Sequence, residues 1–298
     1  MRKSSNRKVL ETIPRVTFAY GSVEDRASLD AAVKDVEAVI HSAGLVKARR
    51  PEDFRLANVT GTANLLAAAR EHAPKLRRFV HVSSGAATAP SPDGTPVRND
   101  VTPAPVTQYG WSKLEAERVV KDAAKDLPIT IIRPPMVYGP RDTESFQLFQ
   151  AANRRVLPSI GDPDGKVSCI YGPDCAAAII LAAQKDDVPS GSAYFVTDGR
   201  VYSRRDLTAG LERAVGKTAL VAFPVPTSVV RVAAFFSERV AKARDQAVIF
   251  TSEKVDELVG QWVFDGSDAE RMLGFSPRVH WDEGAERSAR WYRDNGWL

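Results

Sequence analysis

The sequence predicts an α/β fold: a doubly wound parallel sheet in the first half, followed by a smaller, mostly helical lobe. Three observations carry this expectation. Short, near-continuous apolar runs alternate with longer stretches of helical spacing through residues 26–134. Strands covered by helices on both faces read this way. The chain has 298 residues, 44% hydrophobic and 26% charged, which suits one large or two smaller globular domains. Beyond residue 140 the alternation gives way to helical segments joined by short strands.

The elements follow in order. Residues 15–20 (RVTFAY) form a β-rich run, and 26–36 show helical spacing at Leu29, Ala32, Val33 and Val36. Residues 37–44 (EAVIHSAG) read as a buried strand ending in small side chains. A long helix over 58–72 precedes a strand at 77–84. A helix over 109–126 leads into a third buried strand, PITIIRP, at 128–134. Helices are predicted near 145–154, 173–184, 203–215, 226–243 and 284–295, and the strand at 192–199 is expected to rejoin the main sheet. The division is therefore 1–140 for the sheet domain and 141–298 for the second lobe. Ligands in such sheets bind at the carboxyl ends of the strands. The loop TAPSPDGTP, 88–96, follows one of those ends and reads as flexible.

Composition removes several function classes. Net charge is +4, from 41 basic and 37 acidic residues of mixed order, so no nucleic-acid surface is expected. The apolar stretch 219–236 is broken by Pro224, Pro226 and Arg231 and reads as a packed helix, not an integral membrane segment. Cys169 and Cys175 have no second pair to build a metal site or a disulfide framework. This points to the reducing cytoplasm. No His/Asp/Glu cluster has metal-ligand spacing. His81 and His41 read as satisfied strand histidines, and Asp174 as a helix cap. Trp281, Trp291 and Trp297 are expected to pack the C-terminal segment onto the core.

The chemistry centres on Tyr109-Gly-Trp-Ser-Lys113 at a helix start. Tyr and Lys four apart share a helical face. A nearby ammonium favours phenolate, so the expected phenol pKa lies below its usual value of about 10. Such a tyrosine serves as a general acid or base. Ser83-Ser84 lie at a strand end, where a hydroxyl is placed to hydrogen-bond a substrate oxygen as charge develops.

With these residues the chain resembles the extended short-chain dehydrogenases/reductases, also called the NAD-dependent epimerase/dehydratase family. The segments that carry the resemblance run in order: GSVEDRASL, VIHSAG, NVTGTANLLAAA, FVHVSS, YGWSK, IIRPPMVYGPR, FVTDG and LGFSPRVHWDEGAERSARWYRDNGWL. The nearest branch in character holds the 3β-hydroxysteroid dehydrogenases and dihydroflavonol reductases. The resemblance implies a Rossmann-like sheet and an NADP or NAD cofactor. It implies that Tyr109 is the acid/base, that Lys113 binds the nicotinamide ribose and lowers the Tyr109 pKa, and that Ser84 polarises the reacting C–O group. Asn58 helps order the site. Ser22, Val23, Ser42, Ala43, Gly44, Pro134 and Val137 lie along the cofactor. Arg2, Ser4 and Ser5 stand where relatives select the cofactor, and Arg with hydroxyls there implies the 2′-phosphate of NADP. The opening MRKSSNRK is thus read as the edge of a cofactor site, not a leader or a nucleic-acid arm. A homodimer through 58–72 and 109–126 is also implied.

Two departures stand out. Ser22 replaces an Asp that many relatives use to read the adenine amine. No G-x-x-G-x-x-G run occurs, so the glycine turn that cradles the pyrophosphate is absent from the sequence. The order of segments places Met1 at the end of the family's second strand. The expectation is a gene start placed too far downstream, with true truncation as the alternative. Without the two central strands, 15–20 and 37–44 are expected to separate and face water, unless the sheet closes up or another chain fills the gap. Met136, where nucleotide-sugar members often carry Asn, fits a less polar ligand, core packing being an equally simple reading; the expectation leans towards an apolar carbonyl or alcohol over a nucleotide sugar. The expected activity is hydride transfer between NADP(H) and a carbonyl or secondary alcohol of a fairly apolar small molecule. The alternatives are a nucleotide-sugar epimerase or dehydratase, and a non-catalytic binding protein on a degenerate reductase fold.

Overall fold

A parallel sheet with strand order β1-β2-β3-β8 forms the centre of the fold among the described residues. The computed structural model describes all residues except Lys3, Ser4, Asn6, Pro158, Ala222, Phe223 and 244–250. The side chains at 159, 224 and 240–243 also lie outside that description. In the first half the chain runs α1 (Arg26–Asp30), β1 (Ala38–His41), α2 (Pro51–Phe54), a π-helical turn (Arg55–Thr60) and α3 (Gly61–His72). It continues through β2 (Arg78–Val82), α4 (Gln108–Ala123) and β3 (Ile129–Arg133). The second half holds β4 (Met136–Tyr138), α5 (Thr143–Asn153), β5 (Ser159–Ile160), β6 (Lys166–Val167) and β7 (Cys169–Tyr171). Then come α6 (Gly172–Gln184), β8 (Ser192–Phe195), β9 (Tyr202–Ser203), α7 (Arg204–Val215) and β10 (Pro224–Val225). Helices α8 (Thr227–Ala243), α9 (Ser252–Val259), α10 (Ser267–Leu273) and α11 (Trp281–Asp294) follow.

Strand periodicity sorts the core. Phe79, Ile129 and Ile131 point to one face of the sheet and pack with Leu29, Leu65, Leu66 and Val120 from α1, α3 and α4. Val80 and Ile132 point to the other face, against Ala178 and Ala182 of α6 and Leu273 of α10. Burying one such large side chain contributes about 1.5–3 kcal/mol, so the double covering stabilises strands too short to persist alone. β8 pairs with β3 from Ser192 opposite Thr130 to Phe195 opposite Arg133, which brings the second half back into the sheet. A third cluster, with Tyr138, Phe149, Leu211, Trp281 and Tyr292, fills the second half, and Trp291 and Trp297 pack against it.

Several expectations change. Residues 15–20 form no strand, because no neighbouring strand offers them a ladder; the Met1 amino group instead donates to the Ala19 carbonyl at 2.6 Å. β1 is not buried: it is the open edge of the sheet among the described residues, with Ile40 45% exposed. The helix over 26–36 contracts to α1. The 88–96 loop is pinned, since the Ser91 and Val97 N–H groups donate to the Gln261 and Val263 carbonyls at 2.7 and 2.9 Å. Asp174 does not cap its own helix. Its carboxylate accepts the N–H groups of Arg278 and Val279, both at 2.8 Å, and so fastens the approach to α11. His81 is buried mid-strand, yet neither ring nitrogen has a hydrogen-bond partner.

Candidate active site

The carboxyl ends of β2 and β3 and the first turns of α4 bring the sequence-predicted groups together. Ser84 leaves β2 in extended backbone and starts a short 3-10 turn, its Oγ accepting the Ala86 N–H at 3.1 Å. Thr107 caps α4 by accepting the Gly110 N–H at 3.0 Å, which fixes where Tyr109 begins. Gly110 is required by the approach of these two segments. A β-carbon there would sit 2.3 Å from the Ala86 carbonyl oxygen. Gly110→Ala is therefore expected to push α4 away from the turn after Ser84. A displacement of this order costs about 10²-fold in turnover. Steady-state assays on the folded variant check this, and a rate within threefold of wild type would contradict it.

Tyr109 is half-buried, and its ring lies 6.3 Å from that of Phe54. Burial pushes its phenol above the usual value, opposed by a hydrogen bond with Ser84; the Glu257 carboxylate adds to the rise. This reverses the expected depression by Lys113. The reason is geometric: the Lys113 ammonium donates to the Val82 carbonyl at 2.7 Å, and no hydrogen bond joins it to Tyr109 among the described residues. Burial lowers the Lys113 pKa to about 8, against a raising influence from Glu117. His41 and His81 flank this ammonium. Burial first, and then the Lys113 charge, takes His41 down to about 3 and His81 well below its usual value, so both rings are neutral near pH 7.

Asn58 ties three segments together. Its Oδ1 accepts the Leu45 N–H at 2.7 Å, and its Nδ2 donates to the Leu45 carbonyl and to Ser112 Oγ, each at 2.9 Å. Ser112 Oγ in turn donates to the Tyr109 carbonyl at 2.7 Å. Gly44 is needed here, because a β-carbon would approach Asn58 Oδ1 to 2.7 Å. Beneath Asn58, Thr62 Oγ1 donates to the Asn58 carbonyl at 2.6 Å and contacts His41 Nε2 at 2.9 Å.

A cavity of about 400 Å³ brings Arg2, Ser5, Ser22, Val23, Ala43 and Gly44 together with Leu29 and Ala57. Its apolar walls and its rim of arginine and hydroxyls fit the adenosine portion of a dinucleotide. Ser4 lies outside the described residues. Ser42 is exposed beside the cavity and is not part of its lining. Pro134 and Val137 also lie away from that lining: Pro134 is buried, its carbonyl accepting the Gly85 N–H at 2.8 Å, while Val137 is 40% exposed on β4. Among the described residues no group of three or more His, Cys, Asp or Glu is placed to hold a metal ion.

Sequence reasoning missed a buried ion pair behind the site. Arg133, at the end of β3, donates from Nε to Glu117 Oε1 at 2.9 Å and from Nη2 to Glu117 Oε2 at 2.6 Å. Ser83 Oγ donates to the same Oε1 at 2.6 Å. The available signal was Glu117 four residues after Lys113 on one helical face.

The chain is 29% identical over 287 residues to the ceramide reductase of Caulobacter vibrioides, covering 95% of this chain and 82% of that protein. It is 29% identical over 282 residues to the 4-hydroxy-2-methyl-3-oxo-4-farnesyl-3,4-dihydroquinoline-1-oxide ketoreductase of Stigmatella aurantiaca, covering 89% and 80%. The fold is similar to that of UDP-glucuronic acid 4-epimerase from Bacillus cereus, solved in complex with NAD. The TM-score is 0.77 at 22% identity, over 98% of this chain and 85% of that one. The family model described as NAD dependent epimerase/dehydratase family matches residues 1–196. The chain belongs to this NAD(P)-dependent enzyme family.

Proposed function

We propose that the protein reduces a ketone, or oxidises the matching secondary alcohol, on a fairly apolar small molecule, with NADP(H) as the cofactor. The observation that carries this reading is the meeting of Ser84, Tyr109 and Lys113 at the carboxyl end of a parallel sheet, where the Tyr109 phenol accepts or donates a hydrogen bond with Ser84. Arg2, Ser5, Ser22, Val23, Ala43 and Gly44 would hold the adenosine end, and Lys113 the ribose nearer the reaction. When bound, the cofactor supplies or accepts hydride. Tyr109 holds the proton that passes to or from the substrate oxygen, and Ser84 hydrogen-bonds that oxygen. Asn58 orders the α4 start through Ser112.

The preference for a less polar substrate draws on the apolar character of Met136, where nucleotide-sugar relatives often carry Asn; its packing against the aromatic cluster of the second half serves the core as well. It also draws on the relatives named for a ceramide and for a farnesyl-bearing quinoline oxide. The second half supplies the substrate lobe. Pairing of two copies through α3 and α4, and residence in the cytoplasm, belong to the same reading. Trp111 of α4 is 42% exposed. Among the described residues, no helix is long and apolar enough to cross a membrane.

The test is a panel of long-chain and aromatic ketones assayed with NADPH and, separately, with NADH. The expected result is turnover faster with NADPH. Tightly retained NAD and activity on nucleotide sugars alone would replace this reading with the epimerase one.

The same site sets a pH profile. Lys113 has its folded-state pKa lowered from 10.5 to about 8, so it carries its charge only below about pH 8. Reduction, measured as kcat/KM, is expected to be level near pH 7 and to fall above about pH 8. The linkage has the opposite sign for stability. Between the folded and unfolded values the unfolded chain holds the extra proton, so this group's contribution to stability rises with pH there. A kcat/KM profile level to pH 10 would remove Lys113 from the mechanism.

A further inference from the structure

We propose that Glu117 and Arg133 are positioning residues, whose buried two-point ion pair, completed by Ser83, sets Ser84 and the Tyr109–Lys113 helix in their working geometry. The proposal rests on the reading of Ser84, Tyr109 and Lys113 given above. Three elements meet at this pair. Glu117 lies one turn beyond Lys113 on α4. Arg133 ends β3 and directly precedes Pro134, whose carbonyl accepts the Gly85 N–H at 2.8 Å. Ser83 directly follows β2 and precedes Ser84, and its N–H donates to the Ile132 carbonyl at 2.7 Å.

Both charged side chains are almost fully buried, Arg133 at 2% and Glu117 at 1% exposed. Each Glu117 oxygen accepts from Arg133, and Oε1 accepts from Ser83 as well. The remaining faces of the guanidinium are also engaged. Nη1 donates to the Asn99 carbonyl at 3.4 Å, and Cζ lies 5.5 Å from the centre of the Phe195 ring at the end of β8. A fork of this kind has one low-energy geometry, so α4 cannot rotate or slide relative to the ends of β2 and β3 without breaking it. Such fixing is what a fully connected buried network supplies; net stability is a separate matter. Neither Glu117 nor Arg133 is assigned a contact with substrate. They act through Ser84 and Lys113.

The charged and titratable groups around Lys113 are Glu117 and Tyr109 on its own helix, His41 on β1 and His81 on β2. Both histidines are neutral, and Glu117 is the neighbour that supports the ammonium's charge.

The experiment compares three variants of the full chain. Replacing both partners with apolar residues, Glu117→Leu with Arg133→Met, removes the two charges of the pair together and is expected to fold. Its kcat should fall about tenfold or more while KM stays within about twofold, because geometry and not substrate contact is lost. Glu117→Gln keeps the shape and should move the alkaline fall in kcat/KM to lower pH. The same change should appear in an NMR titration of the Lys113 ε-methylene, which needs no turnover. Ser83→Ala, the mildest change, decides the matter if the double variant does not fold; it should lower kcat with KM little changed. Wild-type kcat in the folded double variant, or in Ser83→Ala where that variant decides, overturns the proposal. An unmoved Lys113 titration in Glu117→Gln also overturns it. Tyr109→Phe serves as the control: full turnover there condemns the catalytic reading itself, and the NMR titration still judges the ion pair.

Discussion

Tyr109→Phe is expected to lower kcat for carbonyl reduction by about 10²–10⁴-fold, the usual weight of a positioned general acid. The substitution removes one hydroxyl and keeps the ring that neighbours Phe54. The reduced product needs a proton on its oxygen, and the Tyr109 phenol carries one at neutral pH, its pKa raised further by burial. Ser84 remains to hydrogen-bond the substrate oxygen, so KM should change little. Lys113 keeps its bond to the Val82 carbonyl, so cofactor affinity should hold as well. Steady-state kinetics, with the NADPH dissociation constant from nucleotide fluorescence, separates these effects. Turnover within threefold of wild type would show that the proton comes from elsewhere.

Glu117→Leu alone should be the most destabilising single change near the site. It leaves the Arg133 guanidinium buried without its carboxylate, and breaking a buried pair on one side costs about 3–5 kcal/mol. It also strands the Ser83 hydroxyl, which loses its acceptor. Such a loss is a large share of the stability of a typical domain. Urea denaturation of the single and double variants measures it. The double variant Glu117→Leu/Arg133→Met is expected to recover most of the loss, and a single variant as stable as wild type would mean that water reaches Arg133.

Much of this fold was legible because burial leaves a pattern. ITIIR, 129–133, is apolar at successive positions because both sheet faces are covered, and the strand lies where the run does. The Tyr109–Lys113 spacing fixes a shared helical face, and α4 carries both as expected. Other features depend on partners that a linear pattern does not encode. Residues 15–20 have strand propensity, but a strand exists only beside another. Asp174 sits where a cap is expected, yet its hydrogen bonds reach more than a hundred residues along the chain, to Arg278 and Val279. The rise of the Tyr109 phenol is not legible in spacing, which puts a lysine near it without showing that the ammonium is held by the Val82 carbonyl. Glu117 and Arg133 sit on different elements, so their pairing emerges only once helix and strand are packed.

Tyr292 ties folding to synthesis. Its single hydroxyl proton lies between the Gly139 and Asp142 carbonyls, both at 2.9 Å, across separations of 153 and 150 residues. The turn after β4 therefore lacks this anchor until α11 has left the ribosome. At about 5–20 residues per second, the wait is roughly 8–30 s. During that interval the aromatic cluster of the second half lacks Trp281 and Tyr292, two of its largest members. The nascent chain thus holds an apolar surface open for seconds, the kind of surface that chaperones exist to shield.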